Sequence, residues 1–400
     1  MITPLTKALH PLSFQFADTL SGLESRDMQV ALWDRIHGAG VAVPPQRLVA
    51  EFPLVASARL QLELDRHVAE LVAFLAQEHA GYTANMLPWP GLSGPDVVSA
   101  DMAIVEDPEA PEGWSLRWVE FQAFTSLLST MYTYHLAANE LWPETRGLAP
   151  WRLPAGDHEW LPTVRQWAAP NGGILLERAP DLQGSRFDLQ AAAKYFGLSI
   201  VEPHQLERIG RTLAYRDSAG AQHEIRHVFN RLVMHELADR AAFEQLMASA
   251  EVTWHSHPAW YYGISKACLQ RLPQRLGAQC VMATHWRELG LPAGVLVAKN
   301  VNSHGGSQVL LNVDDLILDS LTSPGEWLIQ PRYKPQALFA ASDGHPVFGE
   351  VRCIVALPKG KAPWIAGQLM RLSRTSKVNA SDQVGDPGSG TAVLYRPPAH

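Results

Sequence analysis

Leu296-Val-Ala-Lys-Asn-Val-Asn-Ser-His-Gly-Gly-Ser-Gln-Val-Leu-Leu311 sets two short apolar runs on either side of a lysine and a glycine pair. This pattern predicts a strand, a flexible loop and a second strand. A lysine at the end of a buried strand is held towards a pocket, where the Lys299 ammonium can neutralise phosphate oxygens as a point charge. Gly305 and Gly306 have no Cβ, so backbone N–H groups there can approach those oxygens closely. Ser303, His304 and Ser307 add side-chain donors. A hairpin whose loop happens to hold Lys and Gly-Gly fits the same letters, since short glycine motifs recur by chance. Walker A spacing and a strand-coupled G-x-G-x-x-G are both missing, which disfavours a P-loop or a dinucleotide crevice.

On the N-terminal side of this stretch, Gly263 to Leu272 reads as a helix carrying Lys266, and Cys280 to Thr284 as a strand. On the C-terminal side, Asp314 to Leu321 is helix-like, and Glu326 to Tyr333 is an extended segment whose Gln330-Pro331 could act as a hinge. Val347 to Leu357 is a buried-looking strand that contains Glu350 and Arg352; Gln368 to Arg374 is another, with Arg371 and Arg374. A buried strand arginine serves either a structural ion pair or a phosphate, whose oxygens match the guanidinium fork. Residues 376–390 form a polar loop with Asn379.

Towards the N-terminus, residues 1–87 show helical periodicity, in Met28 to Ile36 and again in Leu60 to Leu75. Val97 to Val105 and Leu116 to Gln122 read as a hairpin across the polar turn Asp107 to Gly113. Side chains two apart on a strand share a face, so Glu120 and Gln122 point the same way. With Asp101 opposite, three hard oxygen donors would converge, a set that suits Mg²⁺; an exposed charged sheet face is the plainer alternative. From Gly173 an alternating βα pattern begins: strand 173–177, helix Arg186 to Phe196 ended by Gly197, strand 198–202, a short helix 204–208, and extended runs 211–216 and 225–232. This predicts a small Rossmann-like unit with Asn230 and Arg231 at a strand end. Soft boundaries near 165 and 250 divide the chain into 1–165, 166–250 and 251–400.

At 46% hydrophobic and 18% charged residues, the 400-residue chain can bury ordinary cores. Its net charge of -7 comes without a block of like charges, which argues against a nucleic-acid or anionic-membrane surface. Cys268, Cys280 and Cys353 show no C-x-x-C spacing and fit reduced core thiols. The absence of a signal-like N-terminus leads to a cytoplasmic expectation. His255 and His257 lack a third ligand at matching spacing and sit among Trp254, Trp260, Tyr261 and Tyr262, so aromatic packing is preferred to a metal site there.

Taken in order, Lys266, Lys299, Gly305-Gly306, Gln330-Pro331, Glu350-Val-Arg352, Arg371-Leu-Ser-Arg374 and Asn379 resemble the ATP-grasp superfamily over residues 255–385. That family's metal-bearing strand pair has its match near the N-terminus instead, in Asp101 and Glu120-Phe-Gln122. This order resembles the circularly permuted group that includes the glutathionylspermidine synthetase type. Two departures stand out: Gln122 replaces the usual asparagine, and Ser99 replaces an arginine two residues before the aspartate, for which Arg117 is a candidate substitute. The resemblance implies an α/β (α+β) fold, a permuted ATP-grasp domain with a Rossmann-like pre-ATP-grasp unit and an N-terminal helical region. It implies an ATP-dependent carboxylate–amine ligase that uses ATP and Mg²⁺, small carboxylate and amine substrates, and no nucleic acid or membrane partner. Lys266, Lys299, residues 303–307 and Gln330 would hold the nucleotide, and Asp101, Glu120 and Gln122 the metal. Arg371 or Arg374 would steady the transferring phosphoryl group, and Arg231 the substrate carboxylate. Two other readings fit: an inactive ATP-binding scaffold, and an unpermuted enzyme whose metal ligands are Glu350 and Asn379.

Overall fold

A computed structural model describes residues 2–19, 34, 49–82, 92, 94–154, 156–157, 159–272, 279–303, 308–375 and 386–398. His304, Gly305, Gly306, Ser307 and Asn379 lie outside them, as does the expected 28–36 helix apart from Asp34.

The largest sheet is built on Pro346–Ala356, whose Val, Ile, Cys and Ala residues are buried on both faces. One of its edges pairs antiparallel with Trp364–Ser373. Along its other edge, Phe348 and its N-terminal neighbours pair with Ala337–Ala340, and Glu350 to Ala356 pair with Val97–Glu106, which in turn pairs with Trp114–Gln122. Gly390–Tyr395 extends the sheet beyond Trp364–Ser373, and Leu54–Val55 and Thr3–Pro4 close its ends. Segments from the two ends of the sequence therefore share one ladder. Helix Leu128–Leu141 lies across Trp364–Ser373, where Gly367 admits it: a Cβ at Gly367 would sit 2.8 Å from Met131 Cε.

A second sheet is fully parallel, in the order Thr253–His255, His227–Asn230, Gly173–Leu176, Leu198–Val201. Helix Arg186–Phe196 joins its last two strands and ends on Gly197 at φ 70°, a left-handed turn that glycine takes without a Cβ penalty. A third sheet, antiparallel, places Leu296–Asn300 between Val309–Leu310 and Trp327–Pro331.

Several expectations shift. The predicted 204–208 helix is a single 3₁₀ turn, Pro203–Gln205, followed by strand Leu206–Ile209. The predicted 225–232 run divides into Gln222–Ile225 and His227–Asn230. The Lys266 helix is one α-turn, Trp260–Gly263, and then a 3₁₀ segment, Lys266–Arg271. The final loop gives way at Gly390 to a strand, which the glycine-rich sequence before it conceals.

Candidate functional site

Strand register builds the site. Alternation puts Glu350 and Arg352 on one face of Pro346–Ala356. Arg352 faces Asp101 on one neighbouring strand, and Glu350 faces Arg371 on the other. Asp101 in turn faces Glu120, and Ser99 faces Gln122. Between Asp101 and Met102 the register slips, because Val119 is an extra residue on the facing strand. A bulge leaves its residue outside the regular ladder, and the Val119 carbonyl accepts Lys299 Nζ at 3.2 Å. Lys266 arrives from its 3₁₀ segment. Its Nζ donates to the Ser303 backbone carbonyl and, at 3.1 Å, to Ser303 Oγ, and lies 3.4 Å from Glu120 Oε2. Lys266 thus joins Ser303 to Glu120, while Lys299 reaches the backbone of the neighbouring Val119. Glu120, Gln122, Tyr261, Lys266, Val301 and Ser303 line a small pocket there.

The charges are tightly committed. Arg352 straddles Asp101, with Nε 2.7 Å from Oδ1 and Nη2 2.6 Å from Oδ2. Arg371 Nη2 adds a bond to Oδ2 at 2.6 Å and also reaches Glu350 Oε2. Burial alone would raise the Asp101 carboxyl, but the two guanidiniums outweigh it and hold it below the usual carboxylate range. Glu350 goes the other way: burial, with Asp101 and Glu120 nearby, pushes it up to about 7 against the pull of Arg371. Burial also lowers the Lys299 ammonium, which Glu120 and Glu350 partly restore.

This geometry bears on the expected metal set. Gln122 shares the Glu120 face, but the Asp101 oxygens already accept three guanidinium hydrogen bonds and Glu120 faces Lys266, so the carboxylates that would hold Mg²⁺ are engaged by cations of the fold in this arrangement. Arg117 does not substitute for the missing arginine; it ion-pairs with Asp107 at 3.2 Å beside the hairpin turn. Arg352, from the facing strand, takes that place. Arg374 is held by Asp343 and Asp386. Gln330 is buried in the strand that pairs with Leu296–Asn300, directly opposite Val297.

Arg231 lies elsewhere, at the carboxyl end of His227–Asn230. It is 6% exposed, with its guanidinium 5.2 Å from the Phe124 ring, and among the described residues its Nε and Nη1 have no hydrogen-bond partner. Glu177 directly follows the adjacent parallel strand, Gly173–Leu176. Burial raises its carboxyl to about 7, with Arg231 drawing it down. The sequence reading missed Glu177. Its signal was a charged residue directly after the apolar run Ile174 to Leu176. His255 lies against the rings of Phe229 and Trp167, in keeping with aromatic packing.

No family model matches the sequence, and no curated protein matches it. The fold has solved counterparts. A glutathione synthetase-like effector (GSS30) from Globodera pallida, determined in its apo form, aligns with a TM-score of 0.54 over 88% of this chain and 90% of that one, at 10% sequence identity. The chain is thus a mixed α/β protein similar in fold to that glutathione synthetase-like effector. Among the described residues, no helix is long and apolar enough to cross a membrane.

Proposed function

We propose that this chain is an ATP-dependent carboxylate–amine ligase. In this reading the γ-phosphoryl group of ATP passes to a carboxylate oxygen and ADP leaves. An amine then attacks the acyl carbon, expelling phosphate and closing the amide. The observation that carries the proposal is the convergence of Lys266 and Lys299, two buried ammonium groups from separate elements, beside Glu120 and the Ser303 end of the loop. Such a pair can hold phosphate oxygens and stabilise charge on them in a dry site. Arg371 borders the same face, with Nε lacking a partner among the described residues, and can steady the moving phosphoryl group. Arg231, at the edge of the parallel sheet, suits the substrate carboxylate.

The permuted arrangement is part of the proposal. Its support is the direct pairing of Val97–Glu106 with Pro346–Ala356, which sets the N-terminal Asp101 against the C-terminal Arg352. The parallel sheet between them is assigned to the pre-ATP-grasp unit. A second reading, a nucleotide-binding protein without ligase activity, draws on one observation: the carboxylates of the cluster are already neutralised by arginine and lysine.

An ADP-release screen against pools of amino acids, polyamines and small carboxylates separates the two readings. With the right pair, an ¹⁸O-labelled carboxylate should pass one labelled oxygen to the released phosphate. AMP and pyrophosphate, or unlabelled phosphate, would refute the acyl phosphate. Nucleotide binding without release in any pool would favour the second reading.

A further inference from the structure

The cluster around Asp101 has cations where a metal-dependent phosphate site has open carboxylate oxygens. Lys266, Lys299, Arg352 and Arg371 face Asp101, Glu120 and Glu350. With all groups in their ordinary charge states the cations outnumber the carboxylates by one, and Asp101 has given both oxygens to guanidiniums. A divalent cation entering here would meet spent ligands and like charge. A polyanion would meet donors that lack acceptors. Among the described residues, Lys299 Nζ donates only to the Val119 carbonyl, and the buried Arg371 Nε donates to nothing. Buried donors of this kind gain most from an ionised oxygen.

We infer that the site holds nucleotide phosphates with its own lysines and arginines, so that nucleotide affinity does not depend on a divalent metal. The inference rests on the nucleotide reading above and adds to it the mode of charge neutralisation. Lys266 stands against the Glu120 carboxylate, Lys299 against the carbonyl of the preceding Val119 and Arg371 against Asp101, together supplying the positive charge that a bridging ion supplies in metal-dependent sites.

The test is calorimetric titration of the full chain with ATP, once in excess MgCl₂ and once in EDTA without divalent metal. The expected Kd values agree within about threefold, a difference of under about 1 kcal/mol. Binding in MgCl₂ that weakens more than about tenfold in EDTA overturns the inference and leaves the nucleotide reading standing. Absence of binding in both arms, with the chain melting cooperatively, overturns the nucleotide reading itself. Glu120→Gln supplies a second arm. If Glu120 restrains Lys266, its neutralisation releases a cation and tightens ATP binding in EDTA. If Glu120 is a metal ligand, the variant loses ATP affinity in MgCl₂, and that result overturns the inference.

Discussion

Arg352 and Arg231 are about equally buried, at 4% and 6% exposure, yet they are held in different ways. Arg352 lies inside a strand whose register places Asp101 opposite, and its fork is satisfied within the fold. Arg231 stands just past a strand end in a parallel sheet, with Nε and Nη1 unpaired and an aromatic ring beside its guanidinium. A buried charge has to be compensated somewhere. For Arg352 the compensation is part of the architecture. For Arg231 the fold supplies the nearby Glu177 carboxyl but, among the described residues, no hydrogen-bond acceptor at Nε or Nη1. Under the proposed function the contrast separates charges that assemble the scaffold from one that takes a ligand, and it can be tested residue by residue.

The largest effect is expected at Asp101. Asp101→Asn leaves the buried Arg352 guanidinium without its carboxylate and Arg371 with Glu350 alone, and breaking a buried pair from one side costs about 3–5 kcal/mol. Urea denaturation should show a loss of that order. Adding Arg352→Leu to the same chain should recover part of it, because removing both partners leaves less charge uncompensated. A loss below about 1 kcal/mol would mean that Asp101 is no keystone, and the contrast with Arg231 would collapse.

That role for Asp101 was only partly legible in the sequence. The hairpin 97–122, the Arg186–Phe196 helix with its Gly197 stop, and the strand centred on Glu350 follow from local periodicity and turn chemistry, and they are present. Of the residues the sequence pointed to, Lys266 contacts both Ser303 and Glu120, and Lys299 bonds the backbone next to Glu120. Periodicity gives the face a side chain takes, but says nothing of what another strand brings to it. Asp101 reads equally well as a metal ligand or as an arginine anchor until Arg352 is placed opposite it, 251 residues away in sequence. The two-residue strands Thr3–Pro4 and Leu54–Val55 were beyond reach for another reason: they are too short to show a period, and tertiary pairing alone makes them regular.

A middle-sized effect belongs to Glu177, on the Arg231 side of the comparison. Its carboxyl is raised from 4.5 to about 7 in the folded chain, so the native state binds more protons than the unfolded state across that window. Stability must then fall as pH climbs through it. Glu177→Gln removes that contribution. Glu350 titrates in the same direction in both chains, so the difference between wild type and variant isolates Glu177. Denaturation midpoints at about pH 5 and about pH 8 should lie closer together in the variant than in the wild type. Identical pH dependence would show that Glu177 ionises as freely in the fold as out of it.

The smallest effect on stability, and the sharpest on function, is expected at Arg231. Arg231→Met removes a cation whose Nε and Nη1 have no partner, so little hydrogen bonding is lost. What disappears is the contact with the Phe124 ring, of order 0.5–1 kcal/mol, and the attraction to the Glu177 carboxyl, both offset by relief of the desolvation of a buried charge. The melting temperature should barely move. If Arg231 binds the substrate carboxylate, affinity for that substrate should fall by about 1.5–3 kcal/mol, the worth of a charge-assisted hydrogen bond, while ATP affinity stays the same. Arg231→Lys should not restore it, because an ammonium cannot present the planar fork. A destabilisation as large as that of Asp101→Asn would show that Arg231, too, is part of the scaffold, held by the fold rather than waiting for a ligand.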